Sequence, residues 1–187
     1  MKSASKVLAA LLVVFMLLSV TASAQSENPF QKNSQVAQLG LGLGMAGIYG
    51  TSSMPPISAG FQYGIEDKIS IGGVLGFATS TYDLGGGFYG DEWSWKYTYF
   101  LIGARGEYHF LENIKNLDGY AGLTLGYNVV SVSTPSNYFG HDYSTSGSYA
   151  VFGVHGGVRY FFNPNFAVFG ELGYGLGILT AGIAYKF

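Results

Sequence analysis

The stretch L-T-A-G-I-A-Y-K-F, residues 179–187, is the segment on which the fold turns. Its odd positions are Leu179, Ala181, Ile183, Tyr185 and Phe187; its even positions are Thr180, Gly182, Ala184 and Lys186. Alternation at a period of two belongs to a β-strand with two unlike faces. Of the nine residues only Lys186 is charged, and the chain stops on an aromatic ring. The open question is which environment the bulky face meets.

The same division recurs upstream. Ala37, Leu39, Leu41, Leu43 and Met45 oppose Gln38, Gly40, Gly42, Gly44 and Ala46. Ile57, Ala59, Phe61, Tyr63 and Ile65 oppose Ser58, Gly60, Gln62, Gly64 and Glu66. Ala121, Leu123, Leu125, Tyr127 and Val129 oppose Tyr120, Gly122, Thr124, Gly126 and Asn128. Phe152, Val154, Val158, Tyr160 and Phe162 oppose Gly153, His155, Gly157 and Arg159. One face is bulky and apolar, the other small or polar. The pattern predicts eight strands, near 36–49, 57–66, 69–82, 93–110, 119–133, 147–162, 166–174 and 178–187. Short turns at 66–68, 111–118 and 163–165 alternate with longer Gly-, Ser-, Pro- and Tyr-rich connections at 50–56, 83–92 and 134–146, and a short one lies around 175–177.

Composition decides between water and lipid outside the ring. Charged residues are 11% of the chain, against about 25% in ordinary soluble domains. A soluble barrel would turn its bulky face inward and meet water with Gly, Ala, Ser and Thr. Reversing it puts the bulky face in hydrocarbon and the small residues in a narrow lumen. Closure also removes the unpaired edges that lipid would not tolerate. The expected fold is therefore all-β, an eight-stranded antiparallel up-and-down transmembrane β-barrel.

The amino-terminal end fits export. Lys2 and Lys6 precede an apolar run from Val7 to Val20, and Ala22-Ser23-Ala24 has the small-residue form of a cleavage site. Residues 1–24 read as a signal peptide, 25–35 as a polar, patternless periplasmic leader, and 36–187 as the barrel. The chain has no cysteine, so neither a disulfide framework nor a thiolate metal site is available.

With these features the chain resembles the small eight-stranded outer-membrane barrels of Gram-negative bacteria, the OmpX-like and OmpA-like porin-family proteins, from about Val36 to Phe187. That resemblance implies a bacterial outer-membrane location after export, with both termini periplasmic and lipid and lipopolysaccharide as surroundings. It also implies an assembly signal read by the barrel-assembly machinery, carried here by Ala181, Ile183, Tyr185 and Phe187. Aromatic girdles are expected at both interfaces. Phe110, Tyr160, Phe162, Phe166, Tyr185 and Phe187 are placed at the periplasmic one, and Tyr82, Trp93, Trp95, Tyr97 and Tyr99 at the outer one.

The inward parity collects Glu66, Arg105, Glu107, His109, His155, Arg159, Glu171 and Lys186. Buried charges are tolerable only when paired, so Arg105 and Arg159 are expected to bridge Glu107 and Glu171 and close the lumen. His109 and His155 join this plug rather than form a metal site; no cofactor or metal is expected. Outside the membrane, Phe88, Tyr89, Asp91, Glu92, Tyr138, Phe139, His141, Asp142 and Tyr143 form the candidate contact surface for a ligand. Acidic Asp83, Asp91, Glu92 and Asp142 stand against Lys96, which reads as a solvated surface. His141, Asp142 and Ser144 supply the residue types of a nucleophilic site, but a Gly-containing loop fixes no geometry for them. The glycines of G-L-G-L-G-M-A-G lie within a strand, so they make no dinucleotide loop. The few basic residues argue against nucleic acid. The expected role is non-enzymatic, in envelope structure or surface interaction, with a narrow channel for water, ions or very small solutes as the alternative and an outer-leaflet lipid A-modifying enzyme as the third reading.

Overall fold

In the computed structural model the eight strands run β1 (Gln35–Leu43), β2 (Thr51–Glu66), β3 (Ile69–Leu84), β4 (Trp93–His109), β5 (Leu117–Thr134), β6 (Tyr143–Phe161), β7 (Phe166–Gly173) and β8 (Leu179–Lys186). The structure describes residues 29–43, 51–84, 93–111, 114–134, 143–173 and 177–187. Each strand pairs antiparallel with its sequence neighbours, and β1 pairs with β8 to close the ring. The closing register sets Val36 opposite Lys186 and Leu43 opposite Leu179.

The turns at one end are tight for local reasons. Asn163 Oδ1 accepts hydrogen bonds from the amides of Asn165 (3.0 Å) and Phe166 (2.8 Å), mimicking a backbone turn with its side chain. Asn116 takes φ 67° beside the start of β5, a left-handed conformation that asparagine adopts more readily than most residues.

The parity predicted from sequence is the parity observed. Val36 and Gln38 are buried on β1, whereas Leu39, Leu41 and Leu43 are exposed at 57%, 45% and 60%. On β5, Tyr120, Thr124 and Asn128 are buried, whereas Leu123, Leu125 and Tyr127 are exposed. The protein thus buries its polar side chains and exposes its apolar ones, the inverse of a soluble domain.

Several boundaries differ from the sequence reading. Residues 51–56, expected in a loop, extend β2 through Pro55 and Pro56. Register shifts between Ser52 and Met54 and between Met54 and Ile57 accommodate the two rings, as bulges do for residues that cannot donate to a ladder. β6 starts at Tyr143 rather than 147, and β5 at Leu117 rather than 119. The strands are also unequal: β4, β5 and β6 have 17, 18 and 19 residues, while β7 and β8 have 8 each. About 9–11 tilted residues cross a membrane, so β4–β6 carry a sheet well beyond it. β6 meets β7 only from His155 to Phe161, yet meets β5 as far as Tyr143. Among the described residues, the β6 stretch above His155 has a ladder partner on one side only.

Candidate functional site

The lumen is filled in layers. Near the short-turn end Phe30, Val36, Phe161, Ala167, Phe169 and Ala184 make an apolar cluster. Toward the other end Ala78, Tyr99 and Leu101 make a second, with Tyr97, Val130 and Val151 packed against it. Between them lies the ion-pair network.

Arg159 is its centre, with no exposed surface. Its Nη1 donates to Asp118 Oδ2 (2.9 Å), and its Nη2 to Glu107 Oε2 (2.9 Å) and Gln38 Oε1 (3.0 Å). The guanidinium also lies 3.8 Å from the centroid of the Tyr120 ring, a cation–π placement. Arg105 Nη2 donates to Glu171 Oε1 at 2.7 Å, and its Nε stands 3.9 Å from Glu107 Oε1. Gln62 Nε2 donates to Glu107 Oε1 (2.7 Å), and the Tyr120 hydroxyl to Glu171 Oε2 (3.0 Å). The expected bridging of Glu107 and Glu171 by Arg105 and Arg159 is what the structure holds.

Two glycines make room for it. A Cβ on Gly122 would come within 2.7 Å of His155 Nε2, and one on Gly157 within 2.7 Å of the Tyr120 hydroxyl. Both separations are shorter than any ordinary carbon contact.

The eight residues expected to share the lumen divide. Arg105, Glu107, His109, His155, Arg159 and Glu171 line it. Glu66 does not: it sits at the rim with its side chain 62% exposed and pairs with Lys32 at 3.1 Å. The alternation that places Glu66 inward continues past the end of the ring, where inward ceases to mean enclosed. Lys186 is half-buried at the mouth, its Nζ donating to the Pro29 carbonyl (2.9 Å) and lying 5.5 Å from the Phe161 ring. Asp118 was missed, because L-E-N-I-K-N-L-D reads as a turn; in the structure β5 starts two residues earlier than expected, at Leu117. Parity with Tyr120 was the signal that could have placed it. Gln38 and Gln62 stood on the inward face but were not counted in the network.

Glu107, His155 and Glu171 bring one potential metal ligand each to within 4.8 Å of one another. All four carboxylate oxygens already face Gln62, Arg159, Arg105 or Tyr120.

His109 bridges Ser70 and Asp118: its Nδ1 lies 2.7 Å from Asp118 Oδ1 and its Nε2 lies 3.0 Å from Ser70 Oγ. Phe30 lies flat on the imidazole, with centroids 3.6 Å apart and planes 5° from parallel. The leader, read as patternless, thus carries a buried ring into the mouth.

Around the short-turn rim Tyr160 packs edge-on to Phe162, Phe166 to Tyr185, and Tyr185 to Phe187 (5.5, 4.8 and 4.9 Å between centroids). This is the expected girdle. The opposite one is corrected: Tyr97 and Tyr99 share the inward parity of Leu101 and Arg105 and pack inside the barrel, where Trp95 has the same parity. Phe88, Tyr89, Asp91, Glu92, Tyr138, Phe139, His141 and Asp142 lie outside the described residues, as do 1–28. Tyr143 is described only as the first residue of β6, opposite Thr134.

The model of the outer membrane protein beta-barrel domain matches residues 10–186. The chain belongs to that family. OprG from Pseudomonas aeruginosa superposes with a TM-score of 0.57 at 11% identity, over 87% of this chain and 99% of that one. Neisserial surface protein A (NspA) gives 0.52 at 19%, over 82% and 96%. Ail, the attachment invasion locus protein of Yersinia pestis, solved with the heparin analogue sucrose octasulfate, gives 0.50 at 16%, over 82% and 97%. At these identities the likeness is one of fold. No curated protein matches the chain. Family and fold place the protein in the bacterial outer membrane, where short turns face the periplasm and long connections the exterior.

Proposed function

We propose that this barrel is a non-conducting envelope protein that works through its outer surface. The observation that carries the reading is a β6 edge that, among the described residues, has no second ladder partner above His155 and stands above a filled lumen. Residues 144–154 of β6, S-T-S-G-S-Y-A-V-F-G-V, contain neither proline nor charge, the usual devices that blunt an edge. The opposite end of the sheet has them: β2 carries Pro55 and Pro56. An uncharged edge without a second ladder partner among the described residues offers backbone donors and acceptors to an extended strand of a surface partner. Rows of small hydroxyls lie beside it, with Ser131 opposite Ser146 and Ser133 opposite Ser144.

The sulfated sugar analogue bound to Ail is not carried over. The outer segments here hold Asp83, Asp91, Glu92 and Asp142 against Lys96, a charge balance that repels polysulfates. Lipopolysaccharide as neighbour and the barrel-assembly machinery as reader of the β8 face are part of this proposal. Ala181, Ile183 and Phe187 are exposed on that outward face, and Tyr185 packs between Phe166 and Phe187.

Conductance across a planar lipid bilayer tests the reading, with barrel formation verified by the gel shift between heated and unheated samples. The unmodified protein is expected to be silent, and the double variant Arg105→Ala/Arg159→Ala to show discrete openings. Steady openings in the unmodified protein would overturn the closed-lumen reading and make transport of very small solutes the function.

A further inference from the structure

Ser70, His109 and Asp118 come from three different strands, β3, β4 and β5, and meet in the order hydroxyl, imidazole, carboxylate. A carboxylate only accepts hydrogen bonds, so His109 Nδ1 carries the proton shared with Asp118 at 2.7 Å. In the neutral imidazole Nε2 is then an acceptor, and it faces Ser70 Oγ at 3.0 Å. Asp118 is itself fixed, since its second oxygen accepts from Arg159 at 2.9 Å. This is the arrangement of a nucleophile, a base within hydrogen-bond reach and a group that orients the base. It is a different set of residues from His141, Asp142 and Ser144, whose types suggested such chemistry in the sequence.

The site borders the periplasmic mouth. A cavity of about 370 Å³ there is lined by Phe30, Asp67, Lys68, His109, Leu111 and Asp118, among others. Ser70 is fully buried and does not line it. Phe30 stands at this mouth. Its ring covers His109, and a Cβ placed on Gly64, the register partner of Ser70, would come within 3.2 Å of Phe30 Cζ. The ring is held from the rim rather than from within. Lys186 donates to the Pro29 carbonyl, the Asn33 amide to the Gly64 carbonyl (2.8 Å), and the Lys32 amide to Asp67 Oδ1 (3.1 Å).

We propose that Ser70 is a latent nucleophile, activated by His109 and Asp118 and lidded by Phe30, that accepts an acyl group from small activated esters entering from the periplasmic side. Ser70 Oγ bonds to the carbonyl carbon, the ester C–O bond breaks, and the alcohol departs. The serine proton passes to His109 Nε2 and then to the leaving oxygen. The product is an acyl ester on Ser70, and no oxidant or further reactant enters. The inference is independent of whether the lumen conducts.

The probe is a fluorescent fluorophosphonate, which bonds to a nucleophilic serine oxygen as the P–F bond breaks and fluoride leaves. It is applied to the full-length protein folded in detergent, with the heated-versus-unheated gel shift confirming each barrel. Phe30→Ala is expected to be labelled at Ser70, mapped by peptide mass, at least tenfold faster than the unmodified protein. Labelling should vanish in Phe30→Ala/Ser70→Ala, and in Phe30→Ala/His109→Phe, which keeps a flat ring without a base. If Phe30→Ala does not fold, Lys186→Met releases the leader instead and is expected to give the same gain. Folded, lid-released barrels that stay unlabelled would overturn the proposal. So would label at another residue, label that survives loss of His109, or equal labelling with the lid in place.

Discussion

At the scale of single residues the molecule is organised around one fully buried arginine. Arg159 reaches Glu107, Asp118, Gln38 and the Tyr120 ring at once, so two carboxylates of the layer depend on it. Removing one partner of a buried ion pair leaves the others uncompensated, at a cost of about 3–5 kcal/mol. Arg159→Met is expected to lower the urea-unfolding free energy of the refolded barrel by roughly 3 kcal/mol, the low end, because Glu107 keeps Gln62 and Asp118 keeps His109. Adding Asp118→Asn should restore part of that loss. No restoration would mean that Asp118 is not the charge Arg159 compensates. Gly157→Val offers a second check: its Cβ would come within 2.7 Å of both the Gly170 carbonyl oxygen and the Tyr120 hydroxyl, and overpacking of this kind costs about 1–3 kcal/mol. An unchanged unfolding midpoint would show that both the β7 backbone and Tyr120 can give way. Much of this layer was legible in the sequence, since strand parity alone brings Arg105, Glu107, His109, His155, Arg159 and Glu171 inward. Parity says nothing about height, however, and that is why Glu66 and Lys186 were grouped with them. Nor could it pair Ser70 with His109 and Asp118, which requires the register between strands.

At the scale of elements, alternation predicted which face of each strand meets lipid more securely than where each strand ends. The bulky face is set by solvent, and a slip of one residue would reverse it along the whole strand. Ends have no comparable penalty: β2 runs on through Pro55 and Pro56 by shifting register, and β6 runs on through a Ser-rich stretch that composition marks as loop. The lipid-facing row of β5, from Ala121 to Val129, has Leu125 at its middle, 65% exposed. Leu125→Arg would place a cation in the hydrocarbon, where such substitutions cost about 2–4 kcal/mol near the bilayer midplane. Thr124→Arg, one residue away, would enter the lumen beside Arg105 and His155 instead. The expected result is that Leu125→Arg folds in detergent but loses stability in bilayers, whereas Thr124→Arg is impaired in both. Equal behaviour in the two media would contradict the assignment of faces.

At the scale of the whole molecule the barrel has two unlike ends, and the difference fixes its direction in the membrane. One end has tight turns, a girdle of packed aromatic rings and a leader whose Phe30 closes the mouth. The other carries β4–β6 past the ring, with the upper part of β6 paired on one side only among the described residues. A 19-residue strand is about 60 Å long, whereas the apolar band of such a barrel is about 25 Å tall, so β6 must project on one side even after tilting. The projecting end is polar and hydroxyl-rich, and Ser144, Ser146 and Ser148 are all exposed. Because the chain has no cysteine, a single introduced thiol reports position without background. Ser146→Cys is expected to react with a membrane-impermeant maleimide on intact cells. Lys32→Cys, beside the periplasmic rim, should react only after the outer membrane is permeabilised. The opposite pattern would invert the barrel, placing the β6 edge in the periplasm and the Phe30-lidded mouth at the cell surface. Labelling of both on intact cells would mean that the reagent reaches the rim through the lumen, which the layers around Arg159 are built to prevent.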